Sequence, residues 1–443
     1  MKLLRGTLLM ALFISLSINL FAGGFALSGI GSRAISMGGA FRGLADDPSA
    51  MYWNPAGLGF VNETSISLGG TFILPSASWN NNGPIFPNID GYQAQKYEAQ
   101  SSLRIFPNAF FTKVDHPKLK YGLGMFVPYG LGSTWDAYKP PAYLAGFNDF
   151  PENEMLSSIA IIDVHPSFAY QLMPRLSLGA GLSVYYGMID LAKAQYAYSP
   201  ADTANAIPAM YIPTTSDLSG TGIGFGGNLG LLFKPTSCLS IGLSGRLPSA
   251  IDMKGEIEAF TWIPPTTKLG GISDIQTTLK LPAEAGIGFS YLVKPNWIVN
   301  LDYSYTLWDR LDKVVVDLDT PLTVNPDPSE PQLTSSEVLF NWENTSRISF
   351  GTEYEMSCNK LRAGFYMDQS PIPESTQVIT LSDIGNKFSG NLGLGRRFGP
   401  LDLDLNFQYV YFPERKVTQA VTNMGGIYNA NSISGNIGLT FRF

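Results

Sequence analysis

The chain has 443 residues, a formal net charge of −7, only 15% charged residues and 46 glycines, with 45% of its residues hydrophobic. The acidic balance argues against a nucleic-acid partner, two histidines (His116 and His165) at unrelated positions offer no metal site, and two cysteines exclude a disulfide scaffold. No cofactor motif is present, and neither a metal nor a cofactor is expected.

The chain opens with Lys2 and Arg5, a mostly apolar run from Leu8 to Phe21, and then Ala22-Gly23-Gly24. A charged start, an apolar centre of this length and a small-residue end describe a cleaved signal peptide, assigned to residues 1–22. No later stretch approaches the roughly 20 apolar residues of a spanning helix. If the mature chain is embedded in a membrane it is therefore as a closed barrel, since only helices and barrels satisfy every backbone group in lipid.

Residues 23–61 resist a strand reading. Ser28 to Ala40 is rich in Gly and Ser, and Ala45 to Leu58 reads as turns and a short helix. Phe25, Leu27, Ile30, Met37, Phe41, Met51 and Trp53 make the segment too apolar for a disordered leader. It is expected to fold as a plug, or hatch, inside the barrel formed by residues 62–443.

From Thr64 onward an alternation of period two takes over. Strands are expected over 64–75, 100–113, 119–131, 156–170, 175–191, 220–234, 239–254, 277–292, 297–315, 345–356, 360–368, 387–398, 401–412 and 432–443. That makes about fourteen, an even number, and defines an all-β, transmembrane antiparallel barrel. The connections alternate short and long, which matches short periplasmic turns and long extracellular loops. In Leu401-Asp-Leu-Asp-Leu-Asn-Phe-Gln-Tyr409 one face suits lipid and the other a wetted interior. The last strand ends on Phe443, whose aromatic terminus is expected to serve insertion by the barrel-assembly machinery. Cys238 and Cys358 fall in short turns of strands that are not neighbours and are read as unpaired thiols.

Several motifs occur in order along the chain: Ser28-Gly-Ile-Gly-Ser-Arg33, Ala45-Asp-Asp-Pro48, Asn54-Pro55-Ala56-Gly57-Leu58, Pro128-Tyr-Gly-Leu131, Gly224-Phe-Gly-Gly-Asn-Leu-Gly-Leu-Leu-Phe-Lys-Pro235, Leu281-Pro-Ala-Glu-Ala-Gly286, Tyr305-Thr-Leu-Trp308 and Asp368-Gln-Ser-Pro-Ile-Pro373. On these the chain resembles the FadL/TodX family of outer-membrane transporters for long-chain fatty acids and aromatic hydrocarbons. The resemblance implies a fourteen-stranded barrel with an N-terminal hatch, location in the outer membrane of a Gram-negative bacterium, and passive transport without enzymatic chemistry. It also implies that a hydrophobic small molecule leaves sideways through the wall into outer-membrane lipid. A monomer is expected.

The wall gap can also be argued from residues. Gly122, Gly124, Phe126, Pro128, Gly130 and Gly132 share one face of the third strand, with Tyr121, Leu123, Met125, Val127, Tyr129 and Leu131 on the other. Pro128 cannot donate a ladder hydrogen bond, and inside a sheet proline marks a bulge or an edge. Phe126, Pro128, Tyr129 and Gly130 are accordingly the expected gap residues, lying beneath Asn54-Pro55-Ala56 of the hatch; a harmless bulge is the competing reading. For a ligand carboxylate the nearest basic candidates are Lys193, Arg310 and Lys313, with ordinary rim charges as the alternative, and Val127 lacks the hydroxyl that fatty-acid carriers of this family suggest. A general diffusion porin for small solutes is the alternative function, opposed by a hatch of some 40 residues; an adhesin or structural barrel ranks below it. Gly220-Thr-Gly-Ile-Gly-Phe-Gly is read as small lumenal residues rather than a phosphate loop, and Asp46-Asp47 as turn chemistry rather than an acid/base pair.

Overall fold

The computed structural model describes residues 24–81, 96–136, 155–199, 210–263, 266–324, 331–381, 383–418 and 424–443; the signal-peptide assignment lies outside them. One antiparallel sheet closes on itself. Its strands are β1 (Ser65–Asn80), β2 (Arg104–Lys113), β3 (Leu119–Trp135), β4 (Met155–Met173), β5 (Leu176–Ser199), β6 (Met210–Phe233), β7 (Leu239–Arg246 and Ser249–Ile263), β8 (Thr267–Leu281 and Ala283–Lys294), β9 (Trp297–Leu307), β10 (Thr345–Met356), β11 (Asn359–Asp368), β12 (Lys387–Phe398), β13 (Leu401–Val417) and β14 (Gly426–Arg442). Shorter segments at Lys96–Glu98, Lys313–Leu322 and Leu333–Leu339 extend it outward. β14 pairs with β1 from Ser65↔Arg442 to Asn80↔Ile427, which closes the ring.

The fourteen strands expected from alternation are all present, but several run further outward than predicted. Residues 192–219 and 255–276, expected as long loops, are largely strand: β5 reaches Ser199, β6 begins at Met210, and β7 and β8 span 249–263 and 267–281. The alternation persists there while its outward members turn polar. Asp190, Asp217, Asp252, Lys254, Glu256, Glu258 and Asp274 are all exposed. A charge facing the middle of the bilayer costs about 2–4 kcal/mol for Lys or Arg, so these extensions stand beyond the lipid. Lower down the outward rows are apolar. Leu68, Leu182, Phe225 and Leu392 are each more than half exposed, with Tyr121, Tyr170, Trp297, Tyr354 and Phe443 among the exposed aromatics. A belt of this size is tolerable only against hydrocarbon.

The interior divides by height. Residues 24–61 fold into two short helices, α1 (Ser32–Ser36) and α2 (Ala50–Trp53), and a 3₁₀ turn over Pro55–Phe60. Their core of Ile30, Ala34, Met37, Phe41, Met51, Trp53 and Leu58 packs on Phe110, Phe126 and Ala169 of the wall. The inward glycines let the hatch backbone touch the wall directly. A Cβ on Gly351 would come within 2.5 Å of the Met37 side chain, and one on Gly43 within 2.8 Å of the Gly288 backbone. Above the hatch the inward rows of β4–β9 are apolar, with Ile159, Ile161, Ile189, Ile251, Ile257, Ile275, Leu279 and Leu318 in one cluster with Trp308 and Trp342. The connection between β11 and β12, expected as an external loop, bends inward instead: Ile372, Gln377, Ile379 and Ile384 are buried. Arg415 of β13 holds it by donating to the Gln377 side chain (3.1 Å) and to the carbonyls of Ile384 (3.1 Å) and Ile372 (2.9 Å).

Candidate functional site: a wall opening closed by the N-terminal arm

Pairing of β2 with β3 stops early. It runs only from Lys113↔Tyr121 to Ala109↔Met125, although β2 stays paired with β1 as far as Ile73↔Arg104. Contact with β3 resumes only higher up, where the Gln100 amide donates to the Thr134 carbonyl (2.9 Å) and Ala99 bridges Trp135. Over residues 126–133, about 25 Å at roughly 3.3 Å per residue, β3 forms no ladder with β2, although the side chains of Phe106 and Arg104 reach Gly130 and Gly132. The register with β4 shifts between Phe126↔Asp163 and Tyr129↔Ile161, a bulge at Val127-Pro128. A bulge inserts one residue and bends its strand, and proline removes a donor.

The same bulge reverses the face pattern read from the sequence. Up to Phe126 the even residues point inward as expected. Beyond it Tyr129 is 3% exposed, and Ser133 and Trp135 are buried. The expected grouping of Tyr129 with the lipid-facing residues is therefore corrected, because the extra residue shifts the parity by one.

The free edge of β3 is taken by residues 25–27, hereafter the arm. Gly130 donates its amide to the Phe25 carbonyl (2.9 Å), and Leu27 donates to the Pro128 carbonyl (3.1 Å), with Ala26 bridging Tyr129. In hydrocarbon each unsatisfied backbone group costs several kcal/mol, so an opening onto lipid needs such a surrogate. The Phe25 ring then sits edge-on to Tyr129 (5.6 Å between centroids) and Trp308 (5.1 Å), and tilted against Trp342 (5.5 Å). Contacts of this kind are worth about 0.5–1.5 kcal/mol each. Two backbone hydrogen bonds and these ring contacts hold the arm on β3.

The rest of the hatch is held far more firmly. Arg33 donates to both Glu353 oxygens (2.8 and 3.0 Å) and to Asp46 (2.6 Å), while Arg362 reaches Glu353 (2.6 Å) and Asp404 (2.5 Å). Asp302 accepts from the Phe41 and Arg42 amides (3.0 and 2.8 Å), and Arg42 pairs with Glu284. Ser244 and Asn228 donate to the carbonyls of Trp53 (2.7 Å) and Met51 (2.8 Å). Breaking one buried pair of this type costs about 3–5 kcal/mol. Asp47 accepts from the Ser49 amide and hydroxyl (2.8 and 2.6 Å), in line with the turn-chemistry reading.

The residues expected to form the site are only partly brought together. Phe126, Pro128, Tyr129 and Gly130 stand at the opening. Asn54, expected directly above them, is seated elsewhere. Its amide donates to the Leu231 carbonyl of β6 (3.2 Å) and the Arg42 carbonyl (3.0 Å), and its side-chain oxygen accepts from Ala56 (3.2 Å). Pro55, Ala56, Gly57 and Leu58 are buried in the same seat, where Cβ atoms on Gly230 and Gly242 would collide with Asn54 and Arg42. Lys193, Arg310 and Lys313 are exposed, Lys313 paired with Glu337 at 2.8 Å. None of the three is in the apolar lumenal cluster. The arm, residues 25–27, is the part of this edge that the sequence pattern did not single out. Cys238 and Cys358 are free thiols.

Residues 13–443 match the model of a family described as outer membrane protein transport protein (OMPP1/FadL/TodX). The long-chain fatty acid transport protein of Escherichia coli K12 is 24% identical over 392 residues, covering 81% of this chain and 80% of that protein. Outer membrane protein P1 of Haemophilus influenzae is 23% identical over 418 residues, covering 86% and 84%. Among solved structures, a Pseudomonas aeruginosa FadL homologue superposes with a TM-score of 0.77 at 17% identity over 95% of this chain and all of that one. The P. putida toluene transporter TodX does so with a TM-score of 0.71 at 15% identity, covering 94% and 99%.

Proposed function

The chain belongs to the OMPP1/FadL/TodX family of outer-membrane transport proteins, and from that premise we propose that it passes hydrophobic molecules sideways through its wall. It is a Gram-negative outer-membrane barrel of a transporter family, not an enzyme. Relatives are a long-chain fatty acid transport protein and a toluene transporter, and the ligands proposed here are of those classes, fatty acids or hydrocarbons. In this reading residues 1–22 are a signal peptide, 23–61 the hatch and 62–443 the barrel. Ligand enters among the outer strands, moves into the apolar cluster of β4–β9, and leaves into outer-membrane lipid when the arm lifts from β3.

The observation that carries the reading is the edge of β3 over 126–133, unpaired with β2 and, among the described residues, covered by two arm hydrogen bonds. A hydrocarbon gains nothing from a wet channel, whereas a side opening keeps it in apolar surroundings throughout. The movement involved is narrower than a shift of the whole hatch, since residues beyond Gly31 are anchored by Arg33 and Arg42.

The test locks the arm. Ala26→Cys and Tyr129→Cys, placed at bridged positions in a Cys238→Ser, Cys358→Ser background, should form a disulfide. Uptake of radiolabelled oleate or toluene by cells should fall at least tenfold while it is oxidised and recover on reduction. Unchanged uptake with the bond fully formed would show that the arm does not gate the route.

A further inference from the structure

Of the two histidines, His165 lies at the wall opening. It points inward from β4 opposite Gly124 of β3, and Asp163 stands opposite Phe126, the last residue before the bulge. Asp163, His165, Ser183 of β5 and Asn228 of β6 form one cluster, each member at most 4% exposed. His165 Nδ1 is 2.9 Å from Ser183 Oγ and 3.3 Å from Asp163 Oδ2, and the Ser183 hydroxyl donates to the same Asp163 oxygen (3.0 Å). His165 Nε2 is 3.1 Å from Asn228 Oδ1, and Asn228 donates its amide to the Met51 carbonyl of α2 (2.8 Å). Gly181 of β5 makes room for this arrangement, since a Cβ there would collide with His165 Nε2 and Asn228 Oδ1. The cluster joins the rim of the opening to the seat of the hatch. The Phe126 ring packs on both, 5.5 Å from the His165 ring and 5.5 Å from that of Tyr52 in α2.

Donors are too few here unless the cluster holds an extra proton. The Asn228 amide faces Met51, so its oxygen faces His165 and Nε2 carries a hydrogen. Were Nδ1 bare, the single Ser183 proton could not serve both it and Asp163. A carboxylate 1% exposed would then lack a donor, because Asp163 Oδ1 has none and, among the described residues, no Lys or Arg lies within ion-pair distance of it. A buried charge left in that way is strongly disfavoured. One more proton, on Nδ1 facing the carboxylate, satisfies every close contact, and it belongs to the Asp163–His165 pair as a unit. Other titratable or charged groups face the cluster from its neighbours: Tyr185 opposite Asp163, Arg246 of β7 opposite Asn228, Tyr52 of the hatch and Tyr129 of β3. Arg246 is the cation among them and acts against a protonated ring; Asp163, at 3.3 Å, acts for it.

We propose that His165 is the positioning residue of the wall opening: a proton shared with Asp163 ties Phe126, at the foot of the bulge, to the Asn228–Met51 seat of the hatch, and its loss lets the arm lift. The two arm hydrogen bonds fall on Pro128 and Gly130, just beyond Phe126, so the placing of Phe126 sets theirs. The tied state holds a proton that the loosened state releases. The tie is therefore present at lower pH and lost as pH rises. This role rests on the reading of the protein as a transporter with a side exit.

The first measurement needs no ligand. His116→Gln leaves His165 as the remaining histidine of the chain, and NMR of the purified barrel with isotope-labelled histidine reads its ring nitrogens directly. The ring should hold its second proton about tenfold more tightly, or better, than it does once Asp163→Asn is added; equal holding overturns the shared proton. The second measurement is uptake by cells, across pH, of radiolabelled toluene, which has no titratable group of its own. Uptake through wild type should rise several-fold as pH increases. Asp163→Asn should take up toluene at one rate over the same steps, and His165→Gln should show at low pH the rate that wild type reaches at high pH. Heat-modifiable migration verifies each variant as folded, and either one decides if the other does not insert. Wild-type uptake without pH dependence, or a dependence retained in the variants, overturns the positioning role and leaves the transport reading standing. Wild type that takes up neither toluene nor oleate at any pH overturns the transport reading and the role with it.

Discussion

The Glu353 carboxylate receives Arg33 of the hatch and Arg362 of the wall, and Asp302 receives two consecutive hatch amides. The contacts made by the hatch join residues some 260 to 320 positions apart, so no local pattern announced them. The alternation placed Asn300 and Asp302 on an inward face, correctly, but could not say that the hatch rather than water meets them. Asn54 shows the same limit. Its motif marked it as a hatch residue, while its partner, the Leu231 carbonyl, depends on how the hatch is turned inside the ring. Tyr129 was misplaced for a different reason: one bulge residue inverts every face assignment after it. Two residue-scale outcomes follow. Glu353→Gln leaves two buried guanidinium groups without their shared anion and should lower hatch stability by about 3–5 kcal/mol, read as earlier proteolysis of residues 24–61 in an intact barrel. Gly364→Val places methyl groups against the Met37-Gly38 backbone and should displace α1, raising single-channel conductance while the barrel still inserts.

At the scale of elements, the strands were legible because lipid and lumen impose opposite polarity at period two. Their outer ends were not, since above the bilayer the outward residues become as polar as loops. The inward bend of the β11–β12 connection was hidden for a related reason: Ile372, Ile379 and Ile384 are spaced irregularly and bury themselves individually. The hatch was recognisable from what it lacked, any alternation at all. Removing residues 23–50 takes away Arg33 and Arg42 with most of the hatch. Planar-bilayer recordings should then show an ion-conducting lumen lined by Asn300, Asp302, Asn406 and Gln408; conductance equal to that of the intact protein would argue against a plug. The last strand carries a separate prediction. Phe443 donates its amide to the Thr64 carbonyl (2.9 Å) and stacks edge-on against Phe441 (4.9 Å), with 68% of its surface exposed. Phe443→Asp puts a charge where the belt is apolar, so the yield of heat-modifiable, membrane-inserted protein should drop several-fold while any inserted barrel transports normally.

The molecule as a whole is a barrel whose lower lumen is filled by an anchored hatch, whose upper lumen is apolar, and whose wall is interrupted at one strand. Under the proposed function, the third feature is the one that gives a hydrophobic ligand a way out that avoids water. The direct measurement staples the opening shut. Phe106→Cys on β2 and Gly130→Cys on β3, whose side chains would meet across the gap, can be joined by a short, reducible bis-thiol reagent in the background lacking Cys238 and Cys358. Oleate binding to the purified barrel should survive, because the lumen is untouched. Uptake by cells should fall to the level of cells without the protein and return on reduction. Wild-type uptake through a quantitatively stapled barrel would contradict the lateral route and point to passage through the lumen into the periplasm.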